Sequence, residues 1–181
     1  MPRRKRDKTA GRFHIHAHCV WAASRLFRDD VDRSVFVREL ARITARVQWT
    51  CIAYCLLDTH YHLLVDVDDG AMPAGMQLLN FRYALMFNGR HRMKGHVFGA
   101  RYDAHRIGDE THLLNVFKYI AVNPVEAGLR RRAEEWPWSS YPSAIGVAEP
   151  SSFVDPSAVI ECFGDSDEIA RARLKRFVDD T

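Results

Sequence analysis

Leu56-Leu57-Asp58-Thr59-His60-Tyr61-His62-Leu63-Leu64-Val65 is an apolar strand interrupted by two histidines two residues apart. Residues i and i+2 of a strand share a face. His60 and His62 therefore hold two imidazoles side by side, while Tyr61, Leu63 and Val65 point to the other face. Such a pair can bind one divalent cation when a third ligand comes from elsewhere. Alone it is also the pattern of two histidines with no ligand role, so the reading depends on the rest of the chain.

Upstream, residues 13–22 alternate as another strand, with Phe13, Ile15, Ala17 and Cys19 on one face and His14, His16 and His18 on the other. These extra His-x-His pairs are a rival metal site, or flank the first one. Residues 31–48 read as an amphipathic helix with Phe36, Leu40, Ile43 and Val47 at helical spacing and Arg33, Arg38, Arg42 and Arg46 on its wet side. Strands at 50–57 and 61–67 are joined tightly through Asp58-Thr59-His60, and Asp68-Asp69-Gly70 is a turn. A second helix spans 72–89 and ends at Asn88-Gly89. A fourth strand is expected over 97–107. The order β-α-β-β-α-β predicts an α+β, ferredoxin-like antiparallel sheet. Its two helices cover one face and leave the other to the histidines.

The candidate for covering that face is a helix from about Glu110 to Val122, ended near Pro124. Tyr119 and Asn123, four apart, share one side of it. A phenol and an amide oxygen presented together can meet the imidazole pair across a cleft; a buried Tyr and a helix-ending Asn is the plainer alternative. Trp136-Pro137-Trp138 reads as a packing clasp. Residues 147–164 look like a linker, and 167–178 like a C-terminal helical appendage with Ile169, Leu174 and Phe177 on its apolar face. The domain reading is a basic arm over 1–12, a catalytic domain over 13–146, and a linker with a terminal helix over 147–181.

The 181 residues carry a net charge of +3, unevenly placed. Residues 1–12 hold six basic side chains against Asp7. A second basic cluster lies inside the fold: Arg82, Arg90, Arg92, Lys94, Arg101 and Arg106, interleaved with His91, His96, His105, Tyr83, Phe87, Phe98 and Tyr102. Cations mixed with aromatics suit a nucleic-acid backbone and its unstacked bases, although a solvated loop has the same composition. No apolar run nears the roughly 20 residues of a membrane span, and no apolar segment follows the charged N-terminus as in a signal peptide. Four cysteines without C-x-x-C spacing fit reduced thiols in the cytoplasm.

Four collinear blocks, "LLDTHYHLLV", "LLNFRYALMFNGRHRMKGHVFGARY", "LLNVFKYIAVNPVEAGL" and "WPWSSYPSAIG", resemble the HUH single-tyrosine transposases, and among them the REP-associated tyrosine transposases. The resemblance covers roughly residues 13–146. The first strand keeps an aromatic-His pair, Phe13-His14, but has His18 near where that family has an arginine. The resemblance implies that Tyr119 is the nucleophile and that His60, His62 and Asn123 hold Mg²⁺ or Mn²⁺; zinc also fits the donor set. A phenol, with a pKa near 10, is a poor nucleophile at neutral pH, so charge on the phosphate must be neutralised by the cation. The implied reaction cleaves single-stranded or hairpin DNA, leaving a 5′-phosphotyrosine and a free 3′-hydroxyl, in a monomer or homodimer. A catalytically silent hairpin-binding relative and a metal-dependent hydrolase using water are the two competing expectations.

Overall fold

The structure, a computed structural model, describes residues 9–20 and 25–180; most of the basic arm expected over 1–12 lies outside them. The elements are β1 (Gly11–His18), α1 (Asp30–Val47), β2 (Thr50–Leu56), β3 (His60–Val67), α2 (Ala71–His91), β4 (Asp103–Arg106), α3 (Glu110–Glu126), the short turns α4 (Tyr141–Ala144) and α5 (Ser157–Ile160), and α6 (Asp167–Asp179). The sheet order is β2-β3-β1-β4, every pair antiparallel. This is the expected split arrangement.

Alternation decides which residue goes where. Phe13, Ile15 and Ala17 of β1 and Tyr61, Leu63 and Val65 of β3 are buried in one core with Phe36, Leu40 and Ile43 of α1 and Met76, Leu79 and Tyr83 of α2. On the opposite face Ile52, Cys55 and Leu64 pack with Leu113, Phe117, Ile120 and Ala121 of α3. A half-turn error in any strand would exchange the two sets, so the two helical layers fix the histidines on the α3 side.

Several local expectations differ from the structure. Arg33 is not on the wet side of α1: only 6% exposed, it pairs with Asp58 and Asp30 and lies over the Trp136 ring, 5.4 Å from its centroid. A buried guanidinium is tolerable only with such partners, and here it anchors the turn between β2 and β3. Helix α2 runs past Gly89 to His91 and stops at Arg92 in the left-handed conformation, φ 52°. The fourth strand shrinks to Asp103–Arg106; upstream only Phe98 bridges to Cys19. Pro124 lies inside α3, which continues to Glu126. Proline removes one backbone donor there, and the last turn closes with Ala127 N–H on Asn123 O at 2.9 Å and Leu129 N–H on Pro124 O at 2.9 Å.

The region after β4 is packed on the sheet. Trp136 Nε1 donates to Leu56 O at 3.1 Å and Leu56 N to Trp138 O at 2.9 Å, so the tryptophan clasp covers the edge of β2 that would otherwise be unpaired. Residues 147–164, with the composition of a linker, instead dock. Asp155 N donates to Cys51 O at 2.8 Å, and Val159 and Ile160 are buried. Helix α6 buries Ala170, Leu174 and Val178 against the α3 core, while Ile169 faces out. Of the expected stripe, Leu174 is buried and Phe177 packs partly buried on the same core, so Ile169 alone departs.

Candidate active site

Strand register assembles the site. His16 stands opposite His62 and His18 opposite His60, and His105 of β4 stands opposite His14. With His14, six imidazoles share the face turned from α1 and α2. Ring centroids are 4.5 Å apart for His18 and His60, 4.9 Å for His60 and His62, and 5.8 Å for His16 and His62. The first-strand histidines therefore flank the same site. His105, within the basic cluster, belongs to it too, and only sheet pairing brings it there.

Helix α3 lays Tyr119 onto this face. Its ring meets His62 edge-on at 5.4 Å and His14 at 5.8 Å. The tyrosine stays 43% exposed, whereas His62 is 3% exposed. The phenol is thus open to solvent while its ring edge lies against the buried imidazole. Asn123 is buried one turn along, its amide nitrogen donating to Tyr119 O at 2.9 Å. That leaves its oxygen as the remaining acceptor; no hydrogen bond joins it to a histidine.

Four of the imidazoles, His14, His16, His60 and His62, are shifted towards the neutral form. Burial, then the charges of neighbouring rings, pulls His14 from 6.5 down to about 4 and His60 likewise to about 4. His62, the most enclosed, falls to about 2, from burial first and then His14, His60, His16 and His18. Burial also lowers His16, against Asp103, which raises it. Neutral imidazole is the metal-binding form.

The donor chemistry suits a divalent cation in one further respect. His62 Nε2 is buried and has no hydrogen-bond partner, an orphan that a ligand would satisfy. His60 Nδ1 lies 2.9 Å from Thr59 Oγ1, a hydrogen bond that leaves its Nε2 available. Among the described residues no group of three or more His, Cys, Asp or Glu side chains forms a metal cage. A third protein ligand would thus have to be of another type, such as the Asn123 amide oxygen.

The basic cluster divides in two. Arg90 is held by Asp29 and Asp32 of the α1 start, and Arg82 reaches the buried Glu39 at 3.5 Å. Arg106 donates to Thr9 Oγ1 at 2.6 Å and Ala10 O at 2.8 Å. Arg92, Lys94 and Arg101 are exposed and have no ion-pair partner among the described residues. Nor is any helix among those residues long and apolar enough to cross a membrane.

A family model described as "Transposase IS200 like" matches residues 12–123, a span that contains all six imidazoles, Tyr119 and Asn123. The chain belongs to the IS200-like transposase family. This family assigns it to transposase-like DNA processing. No curated protein matches the sequence. Among solved structures the chain is similar to a REP-associated tyrosine transposase bound to a REP hairpin, at 15% identity, covering 92% of this chain and 98% of that one with a TM-score of 0.70. That likeness carries the fold past residue 123 and through the docked C-terminal region. A candidate transposase from Deinococcus radiodurans R1 matches at 15% identity and a TM-score of 0.46, over 66% of this chain and 95% of that one.

Proposed function

We propose that this chain is a single-tyrosine DNA nicking and joining enzyme of the HUH type, acting on single-stranded or hairpin DNA. The observation that carries the reading is Tyr119, open to solvent, edge-on to His62, whose Nε2 is buried without a partner. His60, His62 and Asn123 would hold Mg²⁺ or Mn²⁺. When bound, the cation supplies positive charge for the phosphate oxygens in the in-line transition state.

Tyr119 is the nucleophile. Its Oη forms a bond to the scissile phosphorus and gives up its proton, while the bond from phosphorus to the 3′ oxygen breaks and that oxygen takes a proton to become a free 3′-hydroxyl. Phosphorus ends joined to the tyrosine as a 5′-phosphotyrosine. Attack by another 3′-hydroxyl reverses the bookkeeping, freeing the phenol and joining strands without ATP. Asn123, bonded to the Tyr119 carbonyl, holds the tyrosine's turn of α3.

Of the six cations expected to contact DNA, Arg92, Lys94 and Arg101 are free to neutralise phosphates, and Arg106 lies at the outer edge of the sheet beside β1. Arg82 and Arg90 serve the fold first and would reach DNA only at the cost of their carboxylate partners. The hairpin ligand of the similar structure supports hairpin DNA as the substrate class here. A site completed within one chain is supported by α6, which clasps the helix that bears the tyrosine: Lys118 donates to Asp180 O at 2.8 Å and lies over Phe177.

The test is cleavage of labelled hairpin-bearing single strands by the wild type, His62→Ala and Tyr119→Phe, with Mn²⁺ or with chelator. The expected result is Mn²⁺-dependent cleavage lost in both variants. Cleavage surviving Tyr119→Phe would replace this reading with a water-using hydrolase, and binding without cleavage across many hairpins would replace it with a silent DNA-binding protein.

A further inference from the structure

Nothing above assigns a task to His14. It is not paired with His62 in the strand register, where its partners are Leu64 and His105. Yet its Nε2 lies 2.9 Å from His62 Nδ1, and the two rings stack at 5.1 Å with 27° between their planes. This diagonal contact is the one hydrogen bond His62 makes through its side chain among the described residues. A hydrogen bond between two imidazole nitrogens holds one proton, and which ring carries it decides the tautomer of both.

We propose that His14 is a positioning residue: its Nε2 accepts the Nδ1–H of His62 and so fixes His62 as the tautomer whose Nε2 lone pair is free to ligate a divalent cation. The proposal rests on the metal-assisted reading above and names the residue that prepares its central ligand. The reverse arrangement, with His14 donating, would put the His62 proton on Nε2. A buried N–H would then have no acceptor, because Nε2 has no partner, and orphaned buried donors are rare and costly. His60 supplies an independent parallel. Its Nδ1 is engaged by Thr59 Oγ1 at 2.9 Å, and a hydroxyl accepts an Nδ1–H as readily as an imidazole does. With the hydroxyl accepting, both neighbouring rings are tied through Nδ1 and leave Nε2 for a ligand. Outer partners of this kind fix ring orientation and raise ligand basicity, and losing one typically weakens metal binding about 10- to 100-fold.

Two readouts test this without any DNA. The first is the ¹⁵N imidazole spectrum of the metal-free protein, which distinguishes a protonated from a bare ring nitrogen. His62 should carry its proton on Nδ1 in the wild type and become a tautomer mixture in His14→Phe, which keeps ring volume but has no acceptor. The second is calorimetric titration with Mn²⁺ alone. Affinity should fall about 10- to 100-fold in His14→Phe and recover in His14→Gln, whose amide oxygen can accept the same proton. His96→Gln, exposed and not one of the six clustered imidazoles, should move neither readout.

A proton on His62 Nε2 in the metal-free wild type would overturn the proposal, as would His14→Phe binding Mn²⁺ as tightly as wild type. Wild type that binds no Mn²⁺, with His62 protonated on Nδ1, would instead sink the metal-assisted reading and the ligand half of this proposal, while the hydrogen-bond assignment stood.

Discussion

Lowering the pH of the metal-free protein from 7 to 5 should cost about 6 kcal/mol of folding stability, with the histidine face responsible. His14 and His60 are pulled from 6.5 down to about 4 and His62 to about 2, in each case by burial first and by neighbouring imidazoles second. The unfolded chain takes up these protons near pH 6.5; the folded one resists until far lower. Below 6.5 the unfolded state therefore binds more protons, and stability falls as the pH falls. At pH 5 a ring that is protonated only when unfolded favours unfolding by a factor of about 30, or about 2 kcal/mol. Three rings together reach about 6 kcal/mol, a large share of the roughly 5–15 kcal/mol that stabilises a typical domain. Urea denaturation at both pH values, in chelator, measures it. His14→Gln and His60→Gln should each shrink the difference by about 2 kcal/mol whatever they do to stability at pH 7. An undiminished difference in the double variant would refute the reasoning.

The basic cluster should separate by function. Replacing Arg92, Lys94 and Arg101 with alanine should lower hairpin affinity and reduce the slope of log affinity against log salt by about 1 per residue, with little change in thermal stability. Arg90→Ala should do the opposite, leaving the salt slope nearly intact while lowering stability, because it removes the guanidinium that Asp29 and the buried Asp32 share; a filter-binding salt series and a melting curve check both. Leu174→Ala, in the buried face of α6, should destabilise by about 2–5 kcal/mol by urea denaturation. It should also lower DNA cleavage at 37 °C more than hairpin binding, because α6 braces the helix that carries Tyr119.

Much of this architecture can be read from residue order, for reasons particular residues make plain. The alternation in β1 and β3 is strict, and a strand has only two faces, so the separation of Tyr61, Leu63 and Val65 from His60 and His62 follows from the period alone. What period cannot give is register. The pairing of His16 with His62, the contact of His14 with His62 and the arrival of His105 all depend on sheet alignment, which the chain specifies through distant packing. Arg33 is hidden from sequence reading by its charge, because its carboxylate partner Asp58 lies 25 residues away. Pro124 misleads for a different reason: near a helix end one lost donor costs little. On α6 Leu174 lies where its spacing puts it, but Ala170 and Val178, which complete the buried face, are weaker signals than the exposed Ile169. Composition likewise makes 147–164 resemble a linker, while the open edge of β2 and the α3 core give it something to dock on.

The central claim is that Tyr119 itself becomes joined to DNA. The most direct measurement is mass spectrometry of the tryptic peptides after incubation with hairpin-bearing single-stranded DNA and Mn²⁺, followed by nuclease digestion. The account predicts a nucleotide mass added to the peptide containing Tyr119, absent from the Tyr119→Phe protein, together with a released DNA strand ending in a 3′-hydroxyl. Cleaved DNA with a free 5′-phosphate and an unmodified Tyr119 peptide, in a reaction the Tyr119→Phe protein performs equally well, would contradict it.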